Sequence, residues 1–262
     1  NACCKSIGVQ SYIIEGYTRQ NEKTVFIAHA WNAVKLNNKF YDIDATWASG
    51  YLKGNKYSQQ FRDNFFMIPP IEFIKTHIPF DPIWQFSNHP ISHKEFEMGD
   101  FSNLNRESNF NYSDSIKILS GLSTLDKLER ENQRIITSGL TNSLIRNQVA
   151  LNQRGIATEK YNKAANTFNQ AVEKFNHYIQ SKNTQFDNLS MKDDKILELL
   201  SSTRQLVESA EHTLFVLKAD KYELNHLISS LQRSITGMKK NLETEEKFVS
   251  KYVKTVKPSR LD

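Results

Sequence analysis

From Ile196 onward, apolar or small side chains recur at steps that alternate four and three: Ile196, Leu200, Thr203, Val207, Ala210, Leu214 and Leu217, then Leu224, Ile228, Leu231, Ile235, Met238, Leu242, Val249 and Tyr252. The pattern keeps its register for eight heptads, with Lys221 and Glu245 as the interruptions. A seam of that length and period is specific to helices packed side by side, since only a 3.5-residue repeat keeps one stripe facing a partner. A single helix carrying it would span on the order of 85 Å, at about 1.5 Å per residue. A second stripe precedes it through Tyr161, Ala164, Phe168, Ala171, Phe175 and Tyr178, and a looser one runs over 116–153 through Leu122, Leu125, Ile136, Leu140 and Leu144. Between the two better stripes, Ser190 and Asp193 form a partial capping box. The pattern predicts an antiparallel helical hairpin, with 116–153 as a third helix or an extension of the first arm.

The rest of the chain cannot belong to that helical region. Five of the six prolines lie in 69–90, and residues 1–100 hold all three tryptophans, both cysteines and 17 of the 29 aromatics. The fold class is therefore α+β: an aromatic, turn-rich domain over 1–100, a linker over 101–115, and a helical hairpin or coiled coil over 116–257. Residues 1–100 carry ten Lys/Arg and ten Asp/Glu, so the net charge of +5 sits in the helical part, interleaved with acids. Phosphate backbones call for clustered cations, so no nucleic-acid partner is expected. No apolar run approaches the roughly 20 residues of a membrane span. The chain opens on Asn1 with no signal-peptide pattern, which reads as a processed, trimmed or partial chain whose compartment is not legible. Cys3 and Cys4 are adjacent, which disfavours a bond between them, and there is no CxxC pair.

Residues 1–7 read as the last turns of a helix that ends at Gly8. Three strands follow, Val9–Arg19, Thr24–Leu36 and Lys39–Trp47, joined by turns at Asn21-Glu22-Lys23 and Asn37-Asn38. Residues 48–64 read as loop, Phe65–Ile68 as a short strand, Ile71–His77 as a helical turn, Ile78–Phe86 as an irregular packed segment, and 87–112 as a connector. With Asn37-Asn38 as the hairpin turn, residues whose numbers sum to 75 face each other. His29 then stands opposite Thr46 and Asp44 opposite Trp31, so His29 and Asp44 are diagonal neighbours on one face. A carboxylate on one imidazole nitrogen fixes the tautomer and leaves the other nitrogen free to take a proton from a nucleophile. A purely structural His–Asp pair is the bland alternative. Trp31 and Trp47 flank the pair as candidate cleft walls, although aromatics on a sheet are more often core. His89 and His93 have the spacing of metal ligands on a helix, but Pro90 and the lack of a third ligand favour packing.

His29-Ala-Trp-Asn-Ala-Val34 followed by Ile43-Asp-Ala-Thr-Trp-Ala-Ser-Gly50 resembles the transglutaminase-like (papain-like cysteine) superfamily, in its kyphoscoliosis-peptidase-related branch. Phe65-Phe66 with Pro69-Pro70, His77-Ile-Pro79 with Trp84-Gln85, and Cys4-Lys-Ser-Ile-Gly8 extend the resemblance over about residues 3–98. It implies a Cys–His–Asp peptidase, amidase or acyltransferase acting on peptide or protein amides, with His29 and Asp44 as two members of the triad and with no metal or cofactor. The family's nucleophile sits at the N-terminus of its catalytic helix, where the helix dipole lowers a thiol's pKa. Cys4 matches a cysteine at the far end of that helix, so Cys3 and Cys4 are poor candidates, and the nucleophile is expected upstream of Asn1, leaving this chain alone inactive. The alternative is a non-catalytic scaffold of the same fold that acts by partner contact or self-association through 116–257.

Overall fold

The computed structural model describes residues 1–19, 25–54, 56–104, 111–184, 186, 193–217 and 224–255. The Asn21-Glu22-Lys23 turn, Ser190 and Lys221 fall outside them. The chain is mixed α/β and forms two compact units, Asn1–Gln153 and Arg154–Asp262.

The first unit is built on a four-stranded antiparallel sheet of order β3-β2-β1-β6, made of β1 (Ser11–Arg19), β2 (Phe26–Leu36), β3 (Lys39–Ile43) and β6 (His77–Pro79). Asn37 and Asn38 turn β2 into β3 with φ of 49° and 62°, the left-handed pair that a two-residue hairpin requires and that asparagine tolerates. Lys35 pairs with Phe40 and Asn32 with Ile43, which is the register read from the sequence. The strand stops at Ile43 rather than Trp47, because Asp44 caps a short helix, α2 (Ala45–Ser49), through its own side chain.

Four other segments differ from their sequence reading. The stretch 48–64 is not loop alone: it holds the hairpin β4 (Gly50–Lys53) and β5 (Lys56–Gln59). Phe65–Ile68 is not a strand, since Phe65 ends a 3-10 turn and Ile68 makes one bridge to Asp42. The helical turn closes early as α3 (Pro70–Phe73), which frees His77 to start β6. The 87–112 connector contains α4 (His93–Met98), opened by a capping box of Ser92 and Glu95.

β6 reaches the sheet because Gly16 has no side chain. A Cβ there would stand 2.1 Å from the Ile78 carbonyl oxygen and 2.7 Å from the Trp31 ring. Gly16 pairs with His29 on one side and Pro79 on the other, so this close approach brings β6 alongside the row that holds His29.

Helices of 112–153 bury side chains in the same unit, so a boundary near residue 100 divides the chain earlier than its packing does. Ile116 of α5 (Tyr112–Ser120) joins the cluster around Trp31, Phe40 and Phe86. Ile135 of α6 (Thr124–Ser138), with Ile145 and Val149 of α7 (Ser143–Asn183), joins Tyr17, Ile78 and Phe96. The sequence stripe through Ile136 and Leu140 is displaced from the buried face, for both are more than a third exposed.

In the second unit the heptad positions are the core. Ile196, Leu200, Thr203, Val207, Ala210 and Leu214 are buried on α8 (Asp193–Val216), and Leu231, Ile235, Leu242 and Val249 on α9 (Asn225–Lys254). The seam is not one long helix. Arg204 forks onto Glu246 at 2.6 and 2.7 Å while Lys239 meets Glu211 at 2.9 Å, a pairing possible only if α8 and α9 run antiparallel. Ala164, Phe168, Ala171, Phe175 and Tyr178 of α7 complete the cluster. Glu245 interrupts the seam because it is a polar anchor, accepting from Tyr178 Oη at 2.8 Å and Lys182 Nζ at 2.7 Å.

Candidate active site

Asp44 is the centre of the site. It sits at the junction of β3 and α2 and is 1% exposed. Its Oδ1 accepts from the backbone N–H of Thr46 at 2.9 Å and of Trp47 at 3.1 Å. Its Oδ2 meets His29 Nε2 at 2.8 Å and His77 Nε2 at 3.1 Å. Burial would raise the Asp44 carboxyl, but the hydrogen bonds from His29, His77 and the Trp47 amide outweigh it and hold the group well below the ordinary carboxylate range. An ionised carboxylate only accepts, so both imidazole nitrogens that face it carry protons. His29 therefore keeps Nδ1 as its remaining nitrogen, on a side chain 17% exposed.

The sequence brought His29 and Asp44 to one face by strand pairing. The structure brings them together by another route: Asp44 lies just past the end of the ladder, and its side chain turns back under β2 as a helix cap. Trp31 is 3% exposed and donates Nε1–H to Asp42 Oδ1 at 3.1 Å, so it is core and not a cleft wall. Trp47 is half-buried, with its ring 6.0 Å from that of His29.

His77 has no place beside His29 and Asp44 in the sequence reading. It is fully buried, stacked on Phe73 at 4.1 Å and edge-on to Trp47 at 4.7 Å. Burial depresses its pKa, against the pull of Asp44, which favours the neutral ring. Thr76 Oγ1, which also reaches the Phe73 carbonyl at 3.3 Å, lies 2.8 Å from its Nδ1 and occupies that nitrogen, while Nε2 faces Asp44. The signal for this was the short spacing from the α3 prolines to His77, read as one continuous turn. His93, by contrast, bonds the Phe80 carbonyl and Tyr17 and contacts no second histidine of the site.

His29, Asp44 and His77 place three ligand-type atoms within 4.8 Å of one another, the one such group among the described residues. A divalent ion could be held by those atoms only by displacing the protons that the two imidazoles direct at Asp44. Cys3 and Cys4 are free thiols on α1 (Ala2–Ser6), the first exposed and the second half-buried, and neither hydrogen-bonds His29. Asn1, which caps α1, is bonded by Ser11 Oγ at 3.0 Å. Ser11 is five residues along β1 from the Gly16 that faces His29, roughly 17 Å at about 3.4 Å per residue.

A stretch of 116 residues is 31% identical to human kyphoscoliosis peptidase, covering 41% of this chain and 17% of that protein. Over that stretch the chain is homologous to kyphoscoliosis peptidase. The mouse kyphoscoliosis peptidase matches over 103 residues at 32% identity, 36% of this chain and 15% of its own. Cytokinesis protein 3 of Schizosaccharomyces pombe matches over 80 residues at 35%, 28% of this chain and 9% of its own. The matched region thus spans less than a fifth of each of these relatives. No family model matches the chain. No helix among the described residues is long and apolar enough to cross a membrane.

Proposed function

We propose that the first unit supplies the acid–base half of a transglutaminase-like thiol peptidase, amidase or acyltransferase of Cys–His–Asp type. The observation that carries this reading is the orientation of His29: Nε2–H is fixed on an ionised, buried Asp44, and Nδ1 is left to a partner. In this reading Nδ1 takes the proton of a cysteine thiol as the thiolate attacks an amide carbonyl, and then returns it to the leaving amine. Asp44 holds the ring and stabilises the imidazolium formed in between. Water as the second acceptor gives hydrolysis and an amine gives transfer. The nucleophile is neither Cys3 nor Cys4; it comes from a segment N-terminal to Asn1. Homology to a protein named a peptidase supports this assignment of chemistry.

The test is to express the chain with its native preceding residues and to measure thiol labelling by iodoacetamide and turnover of peptide amides. Labelling of an upstream cysteine, lowered at least tenfold by His29→Ala or Asp44→Asn and unaffected by Cys3→Ser/Cys4→Ser, is the expected result. An upstream segment without cysteine, or labelling indifferent to His29, would sink it.

A non-catalytic scaffold is the second reading, favoured by the absence of a hydrogen bond between His29 and either thiol. It predicts that an association measured by light scattering or pull-down is lost on deleting the second unit, residues 154–262, and survives His29→Ala.

A further inference from the structure

We propose that the lobe running from Ala45 to Arg62 binds an extended peptide segment bearing acidic side chains, and so selects the substrate at the His29–Asp44 site. The selection clause rests on the function proposed above; the binding does not. From Ala45 to Arg62 there is no Asp or Glu, while Lys53, Lys56 and Arg62 are cations. A groove between this lobe and the sheet is walled by Arg19, Trp47, Tyr51, Tyr57, Arg62 and Phe65. Among the described residues no carboxylate lines it, and neither arginine forms an ion pair. Arg19 donates one N–H to the Phe96 carbonyl at 3.4 Å, and Arg62 lies over the Phe65 ring at 4.6 Å. Two guanidiniums facing one groove without acids are an incomplete set, because a planar fork is matched by a carboxylate.

The groove borders the site through two of its wall residues. Its Trp47 ring touches those of His29 and His77, and its Phe65 ring packs on that of His77. The hairpin is unusually apolar for a surface one, with Leu52 71% exposed and Tyr57 58%, and Phe61 just after it is 62% exposed. Lys53 pairs directly across from Lys56, a like-charge arrangement that costs stability in the isolated hairpin. Lysines on a short hairpin do guard its edges against other strands. That role does not extend to Arg19 and Arg62, which stand on the groove wall and not on an edge.

An extended chain presents alternate side chains to opposite sides. Acids on one side would meet the cations, and apolar residues on the other would cover Leu52, Tyr57 and Phe61. Cations spread over Lys53, Lys56, Arg62 and Arg19 exceed what one terminal carboxylate can engage, so acidic side chains are the ligand.

The experiment is an amide-NMR titration of this chain with a pool of N-acetylated, C-amidated octapeptides, Glu at alternate positions and Leu, Phe or Tyr between. Expected are saturable shifts at Trp47, Tyr51, Tyr57 and Arg62, weakened about tenfold or more when Glu is replaced by Gln, and weakened again by raised salt. Lys53→Glu with Lys56→Glu, both exposed and outside the core, should weaken binding likewise, as should Arg62→Gln. Equal binding of the Glu and Gln pools, shifts that require a free C-terminus, or no shifts in the lobe would each overturn the proposal. Acid-selective binding without turnover by the extended protein would leave this inference standing and remove the catalytic reading. Turnover without acid preference would do the reverse.

Discussion

At the residue scale, the site is decided by how many donors surround one carboxylate. Asp44 has four, two backbone amides and two imidazoles, all within 3.1 Å. His77 differs from His29 in having its second nitrogen already occupied by Thr76. Under the proposed function it would position Asp44 rather than act on the reacting atoms. Replacing it tests this. His77→Leu leaves a buried anion short of one donor and should cost about 1.5–3 kcal/mol in denaturant unfolding, the range for a hydrogen bond to a charged group. The Asp44 carboxyl should also rise, read from its Cγ chemical shift against pH. His77→Gln keeps an N–H donor and should recover most of both effects. If Gln and Leu behave alike, the ring serves only as packing against Phe73 and Trp47.

At the scale of the element, the local code was informative wherever backbone chemistry is specific. Asn37-Asn38 names a hairpin turn because few residues tolerate two left-handed φ values in succession, and the turn then fixes the register of β2 and β3. The seam was equally legible as a buried face. Its fold-back was not, because Leu217 to Leu224 is one full heptad step, so the phase runs on unbroken while the chain reverses between α8 and α9. Periodicity reports which face is covered and is silent on what covers it. The β4–β5 hairpin was missed because its outer side chains, Tyr51, Leu52 and Tyr57, are exposed and show no inside–outside alternation. His77 was missed because α3 ends at Phe73, a choice made by tertiary pairing of β6 across Gly16 and not by local propensity. Within α9, Gly237 is exposed, with open space where a Cβ would lie. Gly237→Ala should therefore stabilise the second unit by about 1 kcal/mol, the helix-propensity difference between the two residues. Chemical unfolding followed at 222 nm would show it as a raised midpoint, and a lowered one would mean that the position faces something other than solvent.

At the scale of the whole molecule, the two units carry different electrostatic loads, and the tryptophans separate them. All three lie in the first unit, so tryptophan fluorescence reports that unit while most helical signal comes from the long C-terminal helices. The first unit holds buried groups whose titrations oppose each other. Burial lowers His93 to about 4, so it favours the folded state above its ordinary value of 6.5, and that contribution is lost as the pH falls toward 4. Asp42 works in the other direction. Burial raises it to about 8, offset in part by the hydrogen bond from Trp31, so the folded state keeps it protonated. Its contribution is complete below the ordinary 3.8 and drains away as the pH rises through 8. Wild-type stability is therefore a compromise between groups of opposite sign, and its pH profile alone reveals neither. A difference isolates one. Asn in place of Asp42 keeps an oxygen to accept from Trp31 Nε1 and cannot ionise. Asp42→Asn should thus gain stability relative to wild type as the pH is raised from 4 to 8, with an upper bound on the order of 5 kcal/mol from about 1.4 kcal/mol per pH unit. Unfolding midpoints by fluorescence at pH 5 and pH 8 measure it, and the 222 nm transition of the second unit serves as the internal control. A difference that stays constant across that range would mean that Asp42 is ionised in the folded protein, and that the Trp31 hydrogen bond is made to a charge the core has accepted.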